Sequence, residues 1–235
     1  MRVKQDIWHG DSRELCQKLR PNSVTAVITD PPFGVNNKSN SSKSVEGRVN
    51  ARKIANDESP EQAIEVFNEV MDVLLPKTKE EADLYIFTAH QVLAEWLVVA
   101  EGLNRHGFAR MGVLVWEKDG PGMGRLETWG MSHEFIIFLK KGMRPRSDTR
   151  RGGVIHIPQV RPERLIHPHE KPEALMELLL KHSTDKGDLA VDPFGGSGVL
   201  ARAARNTGRS CLAIEYDKFN YDRAYAALHE NQGMF

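Results

Sequence analysis

Cysteine is scarce in this chain. Cys16 and Cys211 are two residues among 235, too few and too isolated for a disulfide framework or a thiolate metal site. Each sits where a small core residue would fit, which points to a reducing compartment. Long apolar runs are lacking as well. Met1 leads straight into Arg2-Val3-Lys4-Gln5-Asp6, with no stretch of the length a signal peptide or membrane span needs. A cytoplasmic protein without a membrane partner is the expectation. Net charge is also missing, with 32 basic against 32 acidic residues, which at first argues against a polyanionic partner. No internal repeat or long low-complexity tract appears, so a solenoid is excluded. What remains is an ordinary globular composition, 40% hydrophobic and 27% charged, long enough for one domain with a modest insertion.

The neutral total conceals an uneven layout. Between Asn36 and Lys53 the charges are Lys38, Lys43, Arg48, Arg52 and Lys53 against Glu46 alone. Between Lys140 and Arg164, Lys140, Lys141, Arg144, Arg146, Arg150, Arg151, Arg161 and Arg164 face only Asp148 and Glu163. The compensating acids concentrate between Asp57 and Glu101. Charge runs are usually solvated helical faces. Both of these lack helical periodicity and are rich in Ser, Asn, Gly or Pro, as mobile loops that contact phosphates are. Nucleic acid is therefore the expected partner.

Strand and helix signals alternate. Arg2 to Trp8 is a weak strand candidate, and Val24-Thr25-Ala26-Val27-Ile28-Thr29 a buried strand stopped by Asp30-Pro31-Pro32. Ser59-Pro60-Glu61-Gln62 opens a helix with an N-cap and a proline at its first position, its apolar face being Ile64, Phe67, Met71 and Leu74. Further strands are read at Leu84–Thr88, Met111–Trp116, Phe135–Leu139, Leu189–Val191 and Cys211–Ile214. Further helices are read at His90–Asn104, Pro172–His182, Val199–Asn206 and Tyr221–His229. Such alternation predicts a mainly parallel sheet with helices on both faces. Ligands then lie at the carboxyl ends of the strands, so the residues just after each strand carry the chemistry.

Two such loops stand out. Asp192-Pro193-Phe194-Gly195-Gly196-Ser197-Gly198 follows an apolar strand and opens a helix, and its glycines let backbone approach a ligand closely. Glu215 ends the next strand, where an acid can accept hydrogen bonds from ribose hydroxyls. A tight turn is the bland alternative; strand, helix and acid in register favour a nucleoside-bearing cofactor. The second loop is Thr29-Asp30-Pro31-Pro32-Phe33-Gly34. It could be only a rigid strand end. Yet a carboxylate and a backbone carbonyl are what an aromatic amine needs to localise its lone pair, and the prolines leave carbonyls free of ladder partners. An aromatic at Phe33 offers a face on which an unstacked base can lie, worth about 1–3 kcal/mol.

Together these residues resemble the DNA amino-methyltransferases, in particular the beta group with permuted motif order. The family's catalytic tetrapeptide, Asp/Asn/Ser-Pro-Pro-Tyr/Phe, is matched by Asp30, Pro31, Pro32 and Phe33. Its cofactor motif, Phe-x-Gly-x-Gly, is matched by Phe194, Gly196 and Gly198. His9-Gly10-Asp11-Ser12 is similar to the family's Gly-Asp element. His167-Pro168-His169-Glu170-Lys171-Pro172 is similar to its His-Pro-x-x-Lys-Pro element, and Val115 to Lys118 with His133 to Phe135 to its middle strands.

The resemblance implies a single domain with a Rossmann-like, S-adenosylmethionine-dependent methyltransferase fold, circularly permuted in motif order. It implies methyl transfer to the N6 amine of adenine in flipped-out DNA. Asp30 and the Pro31 carbonyl would accept the two amine hydrogens while Phe33 stacks on the base. Asp11 and Ser12 would face the cofactor adenine and Glu215 its ribose. Asp192, Phe194, Gly195, Gly196, Ser197 and Gly198 would line the cofactor beside Asp30. Lys171 would either hold the cofactor carboxylate or anchor a helix start. A loop at 34–56 is expected to order on DNA, and a short target-recognition insertion at about 140–166 to give loose recognition or recognition shared with a second subunit. A homodimer is an assembly the resemblance allows and no residue decides. Trp116 and Trp129 are read as packing residues, and His167 and His169 as structural, with no metal site. The rivals are an N4-cytosine enzyme, against which Asp30 in place of serine counts, an enzyme acting on RNA or glutamine amides, and a non-catalytic DNA-binding relative.

Overall fold

The computed structural model describes residues 4–34, 58–120, 127, 129–143, 151–161, 165 and 170–230. In chain order its strands are β1 (Gln5–His9), β2 (Val24–Thr29), β3 (Thr78–Thr88), β4 (Ala109–Glu117), β5 (His133–Lys141), β6 (Val154–His156), β7 (Leu189–Asp192) and β8 (Ser210–Glu215). They form one sheet in the order β1-β8-β7-β2-β3-β5-β4-β6. Only β5 runs against its neighbours among the described residues. The expected mainly parallel sheet is thus present. Apolar β-branched sequences make its centre: all six residues of β2 are buried, as a strand covered on both faces must be.

Helices cover the two faces. On one, α1 (Ser12–Leu15), α2 (Pro60–Leu74) and α3 (Leu93–Gly102) pack over Val27, Leu84, Ile86 and Ile137. On the other, α4 (Glu173–Ser183), α5 (Val199–Thr207) and α6 (Lys218–His229) pack over Ala26, Ile28, Ala190 and Ala213. Small residues let α5 lie close to the sheet, with Ala201, Ala203 and Ala204 fully buried. The sequence signals for α2 hold: Ser59 Oγ accepts from the Gln62 amide at 3.3 Å, Pro60 sits in the first turn, and Phe67, Met71 and Leu74 face the core.

Three elements differ from the sequence reading. β3 begins at Thr78 rather than Leu84, because its charged half is tied across the sheet. Lys79 pairs with Asp188 at 2.8 Å and Asp83 with Lys140 at 2.9 Å. β6 lies within the segment assigned to target recognition and adds to β4 in parallel, Val115 to Glu117 facing Val154 to His156. α3 begins at Leu93, the three residues before it forming a 3₁₀ turn. Most of the loop expected at 34–56, together with His167 and His169, lies outside the described residues. Among the described residues no helix is long and apolar enough to cross a membrane, and no cluster suits a metal ion.

Candidate active site

The carboxyl ends of β2 and β7 meet side by side, and this adjacency brings the two loops of interest together. Thr29, the last residue of β2, donates from Oγ1 to Asp192 Oδ1 at 2.9 Å, and the Phe194 amide donates to the same oxygen at 3.1 Å. Asp192 is fully enclosed here. Burial pushes its carboxyl up to about 7. The nearby Asp30 and Glu215 charges add to the rise, and the two hydrogen bonds oppose it.

The glycine loop is fixed from behind. Glu215 Oε2 accepts from the Gly196 amide at 2.7 Å and Oε1 from the Asp217 amide at 2.8 Å, joining the loop to the start of α6. Burial raises the Glu215 carboxyl from its usual value, against those two bonds. Ser12 Oγ donates to the Pro193 carbonyl at 2.5 Å. Gly198 initiates α5 with φ +68°, and a β-carbon there would stand 2.7 Å from Ile7 Cδ1, so only glycine lets α5 dock on β1.

Asp30, Glu170, Lys171, Met176, Asp192, Phe194, Gly195, Gly196, Ser197 and Val199 line one open cleft with a volume of about 70 Å³. Phe33 is half-buried and touches the cores on both faces of the sheet, while Phe194 stacks on Phe67 with ring centres 6.4 Å apart.

A line of alternating charges crosses the same edge. Lys171 Nζ lies 2.6 Å from Asp30 Oδ2 and 3.1 Å from Glu134 Oε2, and Lys118 bonds the other Glu134 oxygen. The Lys171 side chain is only 5% exposed, and its ammonium sits over the Phe87 ring, 5.3 Å from the centroid. Burial alone would lower the Lys171 pKa; the Asp30 and Glu134 carboxylates overrule it and hold the ammonium charged well above the usual lysine range. Burial likewise opposes ionisation of Glu134, and Lys171 and Lys118 bring its carboxyl down to about 2. On the far side of the same segment, Arg202 binds both Glu170 and Glu173 and donates to the Ser197 carbonyl at 2.6 Å.

Of the residues singled out from sequence, Asp30, Lys171, Asp192, Phe194, Gly195, Gly196 and Ser197 converge on the cleft. Glu215, Ser12 and Gly198 brace its glycine loop instead of lining it. Asp11 caps α1, bonding the Arg13 amide at 2.8 Å and its guanidinium at 2.6 Å, which holds the Asp11 carboxyl below its ordinary value. Pro31 is buried and Pro32 half-buried beside Phe33. Lys171 pairs with Asp30. Trp116 is buried as expected, its indole donating to the Ile157 carbonyl at 2.8 Å, but Trp129 is 89% exposed, which a packing residue is not. Sequence reasoning missed Glu134, Lys118 and Arg202. Lys118 and Glu134 were read only as part of the middle strands, and their charges lie far from Asp30 and Lys171 along the chain.

Comparison with known proteins agrees with this architecture. The DNA methylase family model matches residues 24–164 and 146–226. A DNA adenine methyltransferase of Escherichia coli, YhdJ, is 26% identical over 95% of this chain and 83% of its own length. The type II methyltransferase M2.DpnII of Streptococcus pneumoniae is 24% identical over 92% and 86%. Among solved structures, the M1.HpyAVI–SAM complex superposes with a TM-score of 0.68 at 23% identity, covering 95% of this chain and 98% of that one. The cytosine-N4-specific PvuII DNA methyltransferase superposes at 0.73 with 17% identity, covering 99% and 89%. With a catalytic-type loop and a glycine loop on one cleft and the family model matched along most of its length, this chain belongs to the N6/N4 DNA methylases.

Proposed function

We propose that the chain is a single-domain, cytoplasmic methyltransferase of the beta group that transfers the methyl of S-adenosylmethionine to the N6 amine of adenine in DNA. The observation that carries this reading is one cleft lined both by Asp30 of the Asp-Pro-Pro-Phe loop and by Asp192 to Ser197 of the glycine loop.

The residues present fit such a cofactor. A β-carbon at Gly195 would come within 3.1 Å of the Ile214 carbonyl oxygen, so the loop lies as close to β8 as backbone allows. Each Glu215 oxygen accepts one backbone amide, and a carboxylate offers about four lone-pair directions, leaving capacity for a hydroxyl. When bound, S-adenosylmethionine supplies an electrophilic methyl on a sulfonium. The chain's own groups do the rest. Asp30 accepts one N6 hydrogen bond and the Pro31 carbonyl the other, which directs the nitrogen lone pair outward. Phe33 stacks on the extruded base. Methyl transfer would form the N–C bond, leave the pair of the broken S–C bond on sulfur and release one N6 proton, for which Asp30 would be the acceptor. Rate enhancement comes from positioning and fixed charge. Adenine is favoured over cytosine by the aspartate at position 30 and by the adenine-methylating relative named above.

Incubating the wild type and Asp30→Ala with labelled S-adenosylmethionine and unmodified duplex DNA tests the reading by nucleoside mass analysis. N6-methyladenine from the wild type alone is expected, with the variant slower by at least about a hundredfold, the scale on which one catalytic polar group contributes. N4-methylcytosine would keep the mechanism and overturn the base. No labelled nucleoside from the wild type would overturn the reading itself.

A further inference from the structure

Resting on the methyltransferase reading, we propose that Lys171 is a positioning residue for Asp30 and not a ligand of the cofactor, with Glu134 as the group that holds Lys171 in place.

Geometry carries this assignment. The ammonium is shared at 2.6 Å and 3.1 Å by two carboxylates, Asp30 at the end of β2 and Glu134 on β5. Phe87 of β3 forms the wall beneath it. Its direction is set by its neighbours. Glu170 and Glu173, on either side in sequence, are both drawn back onto Arg202 of α5, so the segment is tied on one side and Lys171 projects from the other. Lys118 occupies the second Glu134 oxygen and completes the sequence Lys118, Glu134, Lys171, Asp30 across the strand ends. Two of the ammonium's three N–H donors are taken by protein carboxylates, which leaves only one for any third group. The effect of Lys171 falls on Asp30, whose Oδ2 it holds at 2.6 Å on the lining of the cleft.

Acidic side chains crowd this edge. Asp192 lies behind Asp30 across Thr29, with Glu215 beyond, and Glu170 lines the same cleft. Lys171 is in direct contact with Asp30 within this acidic edge, and removing it takes away a charge that favours the Asp30 carboxylate.

Four measurements on Lys171→Met, Lys171→Arg and Glu134→Gln test the assignment. Calorimetry of S-adenosylmethionine binding without DNA should give affinities within about threefold of the wild type. Single-turnover methyl transfer by Lys171→Met at saturating cofactor should be about a hundredfold slower. The acid limb of its pH–rate profile should lie about one pH unit or more higher. Lys171→Arg should recover to within about tenfold, and Glu134→Gln should shift the limb in the same direction by less. A tenfold or greater loss of cofactor affinity with unchanged transfer rate would make Lys171 a cofactor ligand and overturn the proposal. An equal slowing at every pH, with the limb unmoved, would reduce it to a structural role and also overturn it. If Lys171→Met does not fold, an unmoved acid limb in Glu134→Gln is the overturning result. NMR of the lysine ammonium groups separates the two readings. A slowly exchanging Lys171 signal that vanishes in Asp30→Asn, in a protein that methylates no DNA, would sink the function and leave the ion pair. An active enzyme with Lys171 exchanging like a surface lysine would sink this assignment alone.

Discussion

Asp192 shows how a single side chain ties the two halves of the site. Its carboxyl receives the last hydroxyl of β2 and the first free amide of the glycine loop, within reach of the Asp30 and Glu215 charges. With its folded-state value near 7 and an ordinary value of 3.8, the folded protein binds this proton more tightly than the unfolded chain does. The stabilisation is complete in acid, drains away as the pH rises from about 4 to about 7, and stays lost above that. At about 1.4 kcal/mol per pH unit its upper bound is about 4 kcal/mol. Asparagine at 192 keeps an oxygen for both donors and never ionises. Denaturant unfolding at pH 5 and pH 8 should therefore show wild type losing on the order of 1–4 kcal/mol more than Asp192→Asn across that interval. Parallel losses in the two proteins would refute the buried proton. Residues of this kind were legible in part. Asp30 and the 192–198 loop announce themselves because each motif is contiguous and follows an apolar strand. Glu134, Lys118 and Arg202 did not, since an ion pair between distant segments leaves no mark on either.

At the level of elements, apolar periodicity located nearly every strand and helix, and it failed where charge does the work of apolar contact. Thr78 to Asp83 carries Lys79, Glu80, Glu81 and Asp83, and nothing local says strand. Its pairing is enforced across the sheet, with Asp83 and Lys140 directly opposite in the antiparallel register and joined at 2.9 Å with both side chains nearly out of water. Breaking such a pair leaves one charge stranded, which costs about 3–5 kcal/mol, whereas replacing both partners with apolar groups is often neutral. Asp83→Ala should lower the unfolding free energy by about 3 kcal/mol, and Asp83→Leu with Lys140→Leu should restore most of it, as measured by urea titration. A single variant as stable as wild type would show that the pair contributes nothing to this strand. β6 escaped notice for a different reason: three residues in an arginine-rich run give no usable period, and only the exposed edge of β4 makes them a strand.

For the whole molecule, zero net charge hides two basic segments flanking the catalytic edge in sequence, and DNA binding should reveal them through salt. Neutralising Arg144, Arg146 and Arg150 together should reduce the slope of log K against log salt by up to about 0.9 for each phosphate these side chains neutralise in the wild type. Fluorescence anisotropy with a labelled duplex between roughly 50 and 200 mM salt, the interval over which such slopes are steep, measures this. A slope identical to the wild type would place the phosphate grip elsewhere. The fold at this scale was plain from the alternation of strands and helices, while the meeting of the loops after β2 and β7 followed only from strand order, which no local signal encodes. One junction in that arrangement reaches further. A methyl group at Gly34 would fall 2.3 Å from the backbone of Ser59 and Pro60, so the chain leaves the site next to Phe33 and returns to the same point. An excursion whose ends already touch can lengthen or shorten at about 0.6 kcal/mol for each doubling of its length. The stretch between these two points can therefore change in length while the sheet, the cleft and Asp30 stay as they are.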